Sequence, residues 1–270
     1  MRHSGFVRVD FMNRIVNLFR RLFSKSRLIY RMGADLYHRV LYIYAFFICF
    51  RRGIPYIKPQ GPSGEYKSQF GQDRALELLG LLVPEGGVFV EVGSNHPIKN
   101  SNSYYLESKC GYSGISVDPI DYGEFFRLHR PKTQFINVAI DSSKSSVILN
   151  LVEKNDGWED QVSSLHDEVI AHGRGFQVQQ VDVPAVTLAS VCKNLSQIDL
   201  LLLDVEGHEV DVLKSLDWDR VYPEVVLTEN TGEFYPRRRL EKFMLSKGYR
   251  LVARIGSSED IYQFRPSILR

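Results

Sequence analysis

The sequence is short of cysteine. Its 270 residues hold three, Cys49, Cys110 and Cys192, an odd number with no CxxC pair. That argues against a disulfide framework and a structural zinc site, and for a reducing compartment. A membrane-spanning run is missing too. The apolar stretch "VLYIYAFFICF", Val40 to Phe50, has eleven residues and closes on Arg51 and Arg52, whereas a spanning helix needs about 20. It also lies too far from Met1 for an ordinary signal peptide. Two phosphate signals are absent: the GxGxxG turn that brings backbone up to a pyrophosphate, and the GxxxxGK[ST] loop. An NAD-dependent oxidoreductase would need the first. Net charge is small as well, at +2, so the chain does not read as a nucleic-acid binder.

What charge there is sits unevenly. Residues 1–60 carry twelve Lys or Arg against Asp10 and Asp35, so the remaining body is acidic. In "FMNRIVNLFRRLFSKSR", Phe11, Met12, Ile15, Val16, Phe19, Leu22 and Phe23 share one helical face, with Arg14, Arg20, Arg21 and Lys25 largely outside it. A basic amphipathic helix suits an anionic membrane surface, so residues 7–52 are expected to lie on one, at the cytoplasmic face. Packing on the body or on a second subunit is the alternative. "RRGIPYIKPQGPSGEYK" reads as a linker. Residues 1–60 are therefore expected as arm and linker, and residues 61–270 as the folded domain.

In that domain strands and helices alternate. "GVFVEVG", "YSGISVDP", "TQFINVAI", "IDLLLLDVEG" and "PEVVLTEN" read as strands, separated by helical stretches. "YRLVARIG" and "EDIYQFRP" follow as an antiparallel edge pair. The expected fold is an α/β, doubly wound, mostly parallel sheet. Residues 142–186 are longer than a simple crossover and read as an insertion able to cover a site. Ligands bind such sheets beyond the carboxyl ends of the strands. The candidates are thus Glu91 to Asn95, Asp118, Asn137 to Asp141, Asp204 to His208, and Glu229 with Asn230.

The first turn has a single glycine, Gly93, and ends its strand on Glu91. A carboxylate there would repel phosphate and suit a cationic centre. Asp118 closes the next strand, where an acid can accept from ribose hydroxyls. An adenosine with a cationic tail, S-adenosylmethionine, satisfies both acids. Acids at strand ends also cap loops, which is the plainer reading of either one alone.

Taken together, "SQFGQD" at 68–73, "VFVEVGSNHPIKNSNSYYLE" at 88–107, "GYSGISVDP" at 111–119, "SSLHDE" at 163–168, "IDLLLLDVEGHEVDVL" at 198–213 and "PEVVLTEN" at 223–230 resemble the FkbM-family methyltransferases, a class I S-adenosylmethionine-dependent group. The resemblance covers most of the body and none of the arm. It implies a seven-stranded Rossmann-like sheet with an antiparallel last strand, and methyl transfer to oxygen. It makes Glu91, Gly93, Ser94, Asn95, Asp118, Ala139 and Asp204 the cofactor-binding candidates. Asn95, His96 and Pro97 stand where such enzymes usually carry further glycines, so backbone there must meet the cofactor differently; Pro97 has no N–H to give.

Methyl transfer to a hydroxyl needs alignment and a base. His208, four residues past Asp204, is one candidate; Asp204 and Glu206 are the others. Asp204, Glu229 and Asn230 could bind Mg²⁺ through oxygen, or Glu229 and Asn230 could hold substrate hydroxyls directly. His96 and His166 are further substrate-side candidates. The expected acceptor is a hydroxyl of a sugar, glycan or glycolipid, as in surface polysaccharide synthesis. A non-catalytic binding protein tethered at a membrane is the rival from another class.

Overall fold

The computed structural model describes residues 27–152, 178–231 and 236–265. The amphipathic segment Phe11–Lys25 and the insertion residues Trp158, His166, His172 and Phe176 lie outside them. The chain divides into two compact units, Met1–Gly53 and Ile54–Arg270.

The first unit contains helix α1, Arg27–Arg52. The apolar run from Val40 continues a longer helix instead of starting its own. Arg51 and Arg52 sit in the last turn, where cations oppose the partial negative charge of the helix end. Val40, Ile43, Tyr44, Phe46, Phe47 and Phe50 are exposed. No helix among the described residues is long and apolar enough to cross a membrane.

The second unit is mixed α/β around a large, mostly parallel sheet. Its elements are β1 Tyr56–Ile57, α2 Gln72–Leu78, β2 Val88–Val92, α3 Tyr104–Cys110, β3 Ser113–Val117, α4 Gly123–His129, β4 Thr133–Ile136, β5 Ala139–Ile140, β6 Ser146–Val152, β7 Val178–Val186, α5 Leu188–Val191, β8 Ile198–Leu203, α6 Glu209–Lys214, β9 Pro223–Glu229, α7 Arg238–Ser246, β10 Tyr249–Ile255 and β11 Glu259–Phe264. Among the described residues the large sheet runs β1-β10-β11-β9-β8-β2-β3-β4. The central strand β8, "IDLLLL", is buried along its whole length, as a strand covered on both faces must be. Side-chain alternation feeds two cores. Leu201 and Leu203 join Val210, Leu213, Leu240 and Met244, while Leu200 and Leu202 join Ala75, Leu76 and Leu106.

Four details differ from the sequence expectation. The sheet has eight strands instead of seven, because the segment read as linker contributes β1. Tyr56 and Ile57 pair in parallel with Arg254 and Ile255. The antiparallel strand β11 lies between β9 and β10, pairing with both, so the last hairpin folds inward and is not an edge pair. Its Ile261 and Tyr262 are buried, which an edge position would not achieve. "TQFINVAI" breaks at Asn137 and Val138. Its first half is β4, and its second half, β5, joins a separate sheet ordered β5-β7-β6. The insertion supplies β6 and β7, an antiparallel pair with Val147, Leu149, Val183 and Ala185 forming a small core against Ala139.

Candidate functional site

Strands β3, β2, β8 and β9 are parallel, so their carboxyl ends share one edge. The turn after β2 is locked between its neighbours. The Gly93 and Ser94 amides donate to the Val117 carbonyl at 2.9 and 3.3 Å, and the Asp204 amide donates to the Val92 carbonyl at 3.0 Å. Gly93 has φ +79°, and a Cβ there would lie 1.7 Å from the Asp204 carbonyl oxygen. The close passage of the β2 and β8 ends therefore demands glycine at this one position.

The residues that replace further glycines each cap something. Asn95, at φ +49°, accepts the His96 amide on its Oδ1 at 2.6 Å, and its own amide donates to Asp118 Oδ2 at 2.8 Å. His96 Nδ1 accepts from the Ile98 and Lys99 amides, both at 3.1 Å. The Pro97 carbonyl accepts from Arg130 Nη1 at 2.9 Å. His96 is thus placed as a loop cap beside Tyr122 and Phe125. Asp118 has a double hold, since its Oδ1 also accepts the Ile120 amide at 2.8 Å.

Behind the turn lies Glu91, whose carboxylate accepts from Ser103 Oγ at 2.6 Å and Ser116 Oγ at 3.1 Å. Burial pushes its carboxyl up, against the pull of nearby Arg130 and these hydroxyls. Glu91 is buried and supports the turn from inside. Arg130, buried at the end of α4, had no sequence signal. It pairs with Glu107 at 2.8 Å and donates to the Ser103 carbonyl and hydroxyl at 3.1 and 2.9 Å. Ser94 Oγ, in contrast, is buried with no hydrogen-bond partner. A buried hydroxyl of that kind fits a polar ligand at the turn.

Acids dominate the next strand ends. Asp204 is pushed up to about 7 by burial and by the charges of Glu209, Glu91 and Asp118. Glu229 is raised well above its ordinary value by burial and by Asp204, Glu206, Glu259 and Glu209. Glu259 is raised by burial, Asp204, Asp260 and Glu209. Glu259 faces Glu229 in register across β11 and β9. Sequence reasoning missed it because an acid opening an edge strand has no reason to meet the site. An antiparallel strand inserted beside β9 starts where β9 ends.

Asp204, Glu229 and Asn230 gain no support as a metal centre. Asn230 Nδ2 donates to Asp260 Oδ2 at 2.8 Å, and Asp260 is held by Arg254 at 2.6 and 3.0 Å. Among the described residues no group of three or more His, Cys, Asp or Glu could hold a metal ion. The Mg²⁺ expectation is therefore unsupported by the donor set. The methyl of Ala139 packs into the small core of the second sheet, because the third strand breaks before it.

The turn after β8 is the most distorted. Glu206 has φ +50° and Gly207 φ +99°, and the Gly207 amide donates to Glu209 Oε1 at 3.0 Å. A non-glycine residue in the left-handed region at a strand end is an observed strain of the kind that collects at functional sites. His208 begins α6 as its cap residue, and its Nε2 lies 3.2 Å from Asp141 Oδ2.

Residues 91–251, more than half of the chain, match the family model of the methyltransferase FkbM domain. The match opens on Glu91 and ends early in β10, so it contains the Gly93 turn, the acids at the ends of β8 and β9, and His208. No curated protein matches the chain.

Proposed function

The chain belongs to the FkbM methyltransferase family, and from that premise we propose that it transfers a methyl group from S-adenosylmethionine to a hydroxyl of a sugar, glycan or glycolipid. The observation that supports this most is the pairing of an unpartnered buried hydroxyl, Ser94 Oγ, with excess acidic charge at Asp204, on one strand-end edge. A nucleoside ligand with a cationic tail answers both. When bound, the cofactor supplies an electrophilic methyl on a sulfonium. The protein's part is to hold it, align the acceptor oxygen and take its proton. Asp118, fixed by two backbone amides at the end of β3, would accept from ribose hydroxyls. Glu229 and Glu259, whose carboxyls are raised by burial and by neighbouring acids, can hydrogen-bond acceptor hydroxyls.

Titration calorimetry with S-adenosylhomocysteine tests the reading, with Asp118→Asn beside the full-length protein. Micromolar binding, weakened at least tenfold in the variant, is expected. Heat with NAD and none with the nucleoside thioether would favour the oxidoreductase. Binding without turnover of S-adenosylmethionine would favour the tethered binding protein.

A second reading concerns place. The exposed Ile43, Phe46, Phe47 and Phe50 of α1, with Arg39, Arg51 and Arg52 on the same helix, suit peripheral binding to an anionic bilayer. Sedimentation with anionic vesicles but not zwitterionic ones is expected. Equal binding to neither would remove it.

A further inference from the structure

His208 and Asp141 come from different sheets. Asp141 directly follows β5 in the small sheet, and its amide donates to the Val186 carbonyl at 3.0 Å. Its Oδ1 accepts from the Ser143 and Lys144 amides at 2.8 and 2.9 Å and from the Ser143 hydroxyl at 3.2 Å. One carboxylate oxygen is thus fixed by the turn, and that aims the other, Oδ2, at His208 Nε2, 3.2 Å away. Both side chains are mostly buried, at 7% and 15% exposure. Burial would push the Asp141 carboxyl up, but the two amides and His208 outweigh it and hold it below its ordinary value. Asp211 on α6 is a further charge near the imidazole, and it pairs in turn with Lys214 on α6 and Arg239 on α7.

We propose that Asp141 is the positioning residue that makes His208 the general base, an inference that rests on the methyltransferase reading above. An ionised Oδ2 accepts Nε2–H and leaves the lone pair on Nδ1. As the acceptor oxygen forms its bond to the methyl carbon, the carbon–sulfur bond breaks and its electron pair stays on sulfur. The hydroxyl proton passes to Nδ1. The products are a methyl ether, a neutral thioether and an imidazolium beside Asp141, which later yields its proton to water. A base so held contributes about 10²–10⁴-fold to rate.

Asp141→Asn is the informative change, because Oδ1 can still serve the Ser143 and Lys144 amides while only the atom facing His208 differs. Turnover is followed as S-adenosylhomocysteine release from S-adenosylmethionine, with methyl glycosides as acceptors. The expected result is a kcat about 10²-fold lower with KM and S-adenosylhomocysteine affinity within about twofold. In a His208→Gln background the same change should cost little more, because the two act as one unit. Losses that multiply, or an unchanged kcat, overturn the proposal. A readout independent of acceptor is the ¹⁵N spectrum of His208 in the full-length protein, assigned with His208→Gln. Wild type should carry its proton on Nε2, and Asp141→Asn should shift population toward Nδ1–H. A wild-type Nδ1–H tautomer overturns the proposal whatever the cofactor result. Failure of wild type to bind S-adenosylhomocysteine sinks the broader reading instead.

Discussion

In the turn from Gly93 to Pro97 most polar groups are matched within the protein, with Ser94 Oγ left over. Asn95 and His96 cap neighbouring amides, the Pro97 carbonyl meets Arg130, and Asp118 accepts two amides. Farther along the same sheet edge, at Asp204, Glu229 and Glu259, matching stops. There like charges are pressed together by burial. The first region is a mould held by its own hydrogen bonds, with one buried hydroxyl, Ser94 Oγ, left over. The second holds a charge imbalance that a cation would relieve. A binding site for a charged nucleoside needs both: a rigid rim for the neutral part and an unpaired field for the charged one.

The sharpest way to break the mould is Gly93→Ala. With a Cβ 1.7 Å from a backbone carbonyl and φ +79°, one strand end must move. A loss of more than about 4 kcal/mol in urea unfolding is expected, and a native-like stability would show that the β2 and β8 ends do not meet this closely. Next comes Arg130→Met, which strands the buried Glu107 carboxylate. Chemical unfolding should show a loss of about 3–5 kcal/mol.

The imbalance is tested by pH. Asp204 is held at about 7 when folded and would titrate near about 3.9 unfolded. Between those values the unfolded chain ionises and the folded one resists, so stability falls as pH rises from about 4 through about 7. Asp204→Asn should therefore raise Tm at pH 8 by roughly 10 °C and leave it unchanged near pH 3.5. A cationic ligand favours the ionised acid, so S-adenosylmethionine should bind wild type more tightly as pH rises toward 7. Flat affinity across that range would mean the acids do not sense the ligand. The smallest effect is expected at His96→Ala, about 1 kcal/mol from two amides losing their acceptor, with kcat nearly unchanged. A large kcat loss with normal stability would return His96 to the reaction.

Much of the edge was legible in the chain because it is local. The short apolar runs ending at Glu91, Asp118, Asp204 and Glu229 mark strands, and a parallel sheet aligns their ends. What escaped depends on pairings between distant segments. Nothing near Asp141 announces His208, since the two meet only when β5 leaves the main sheet. Glu259 reaches the acids only because β11 inserts between β9 and β10. Arg130 is one of many arginines until its buried bonds to Glu107, Ser103 and Pro97 give it a task. Asn230 likewise gains a partner that its own stretch does not announce: its Nδ2 donates to Asp260, carried in from the last hairpin.

The small sheet also sets a timetable. Its β5 is two residues long and is joined by Ala139 pairing with Ala185 across the whole insertion, a loop whose closure is entropically costly and slow. The rim around Gly93 is assembled from β2, β3 and β8, which can form without it. On refolding from denaturant, nucleoside binding should return before turnover does, because the residue that aims His208 is among the last to arrive.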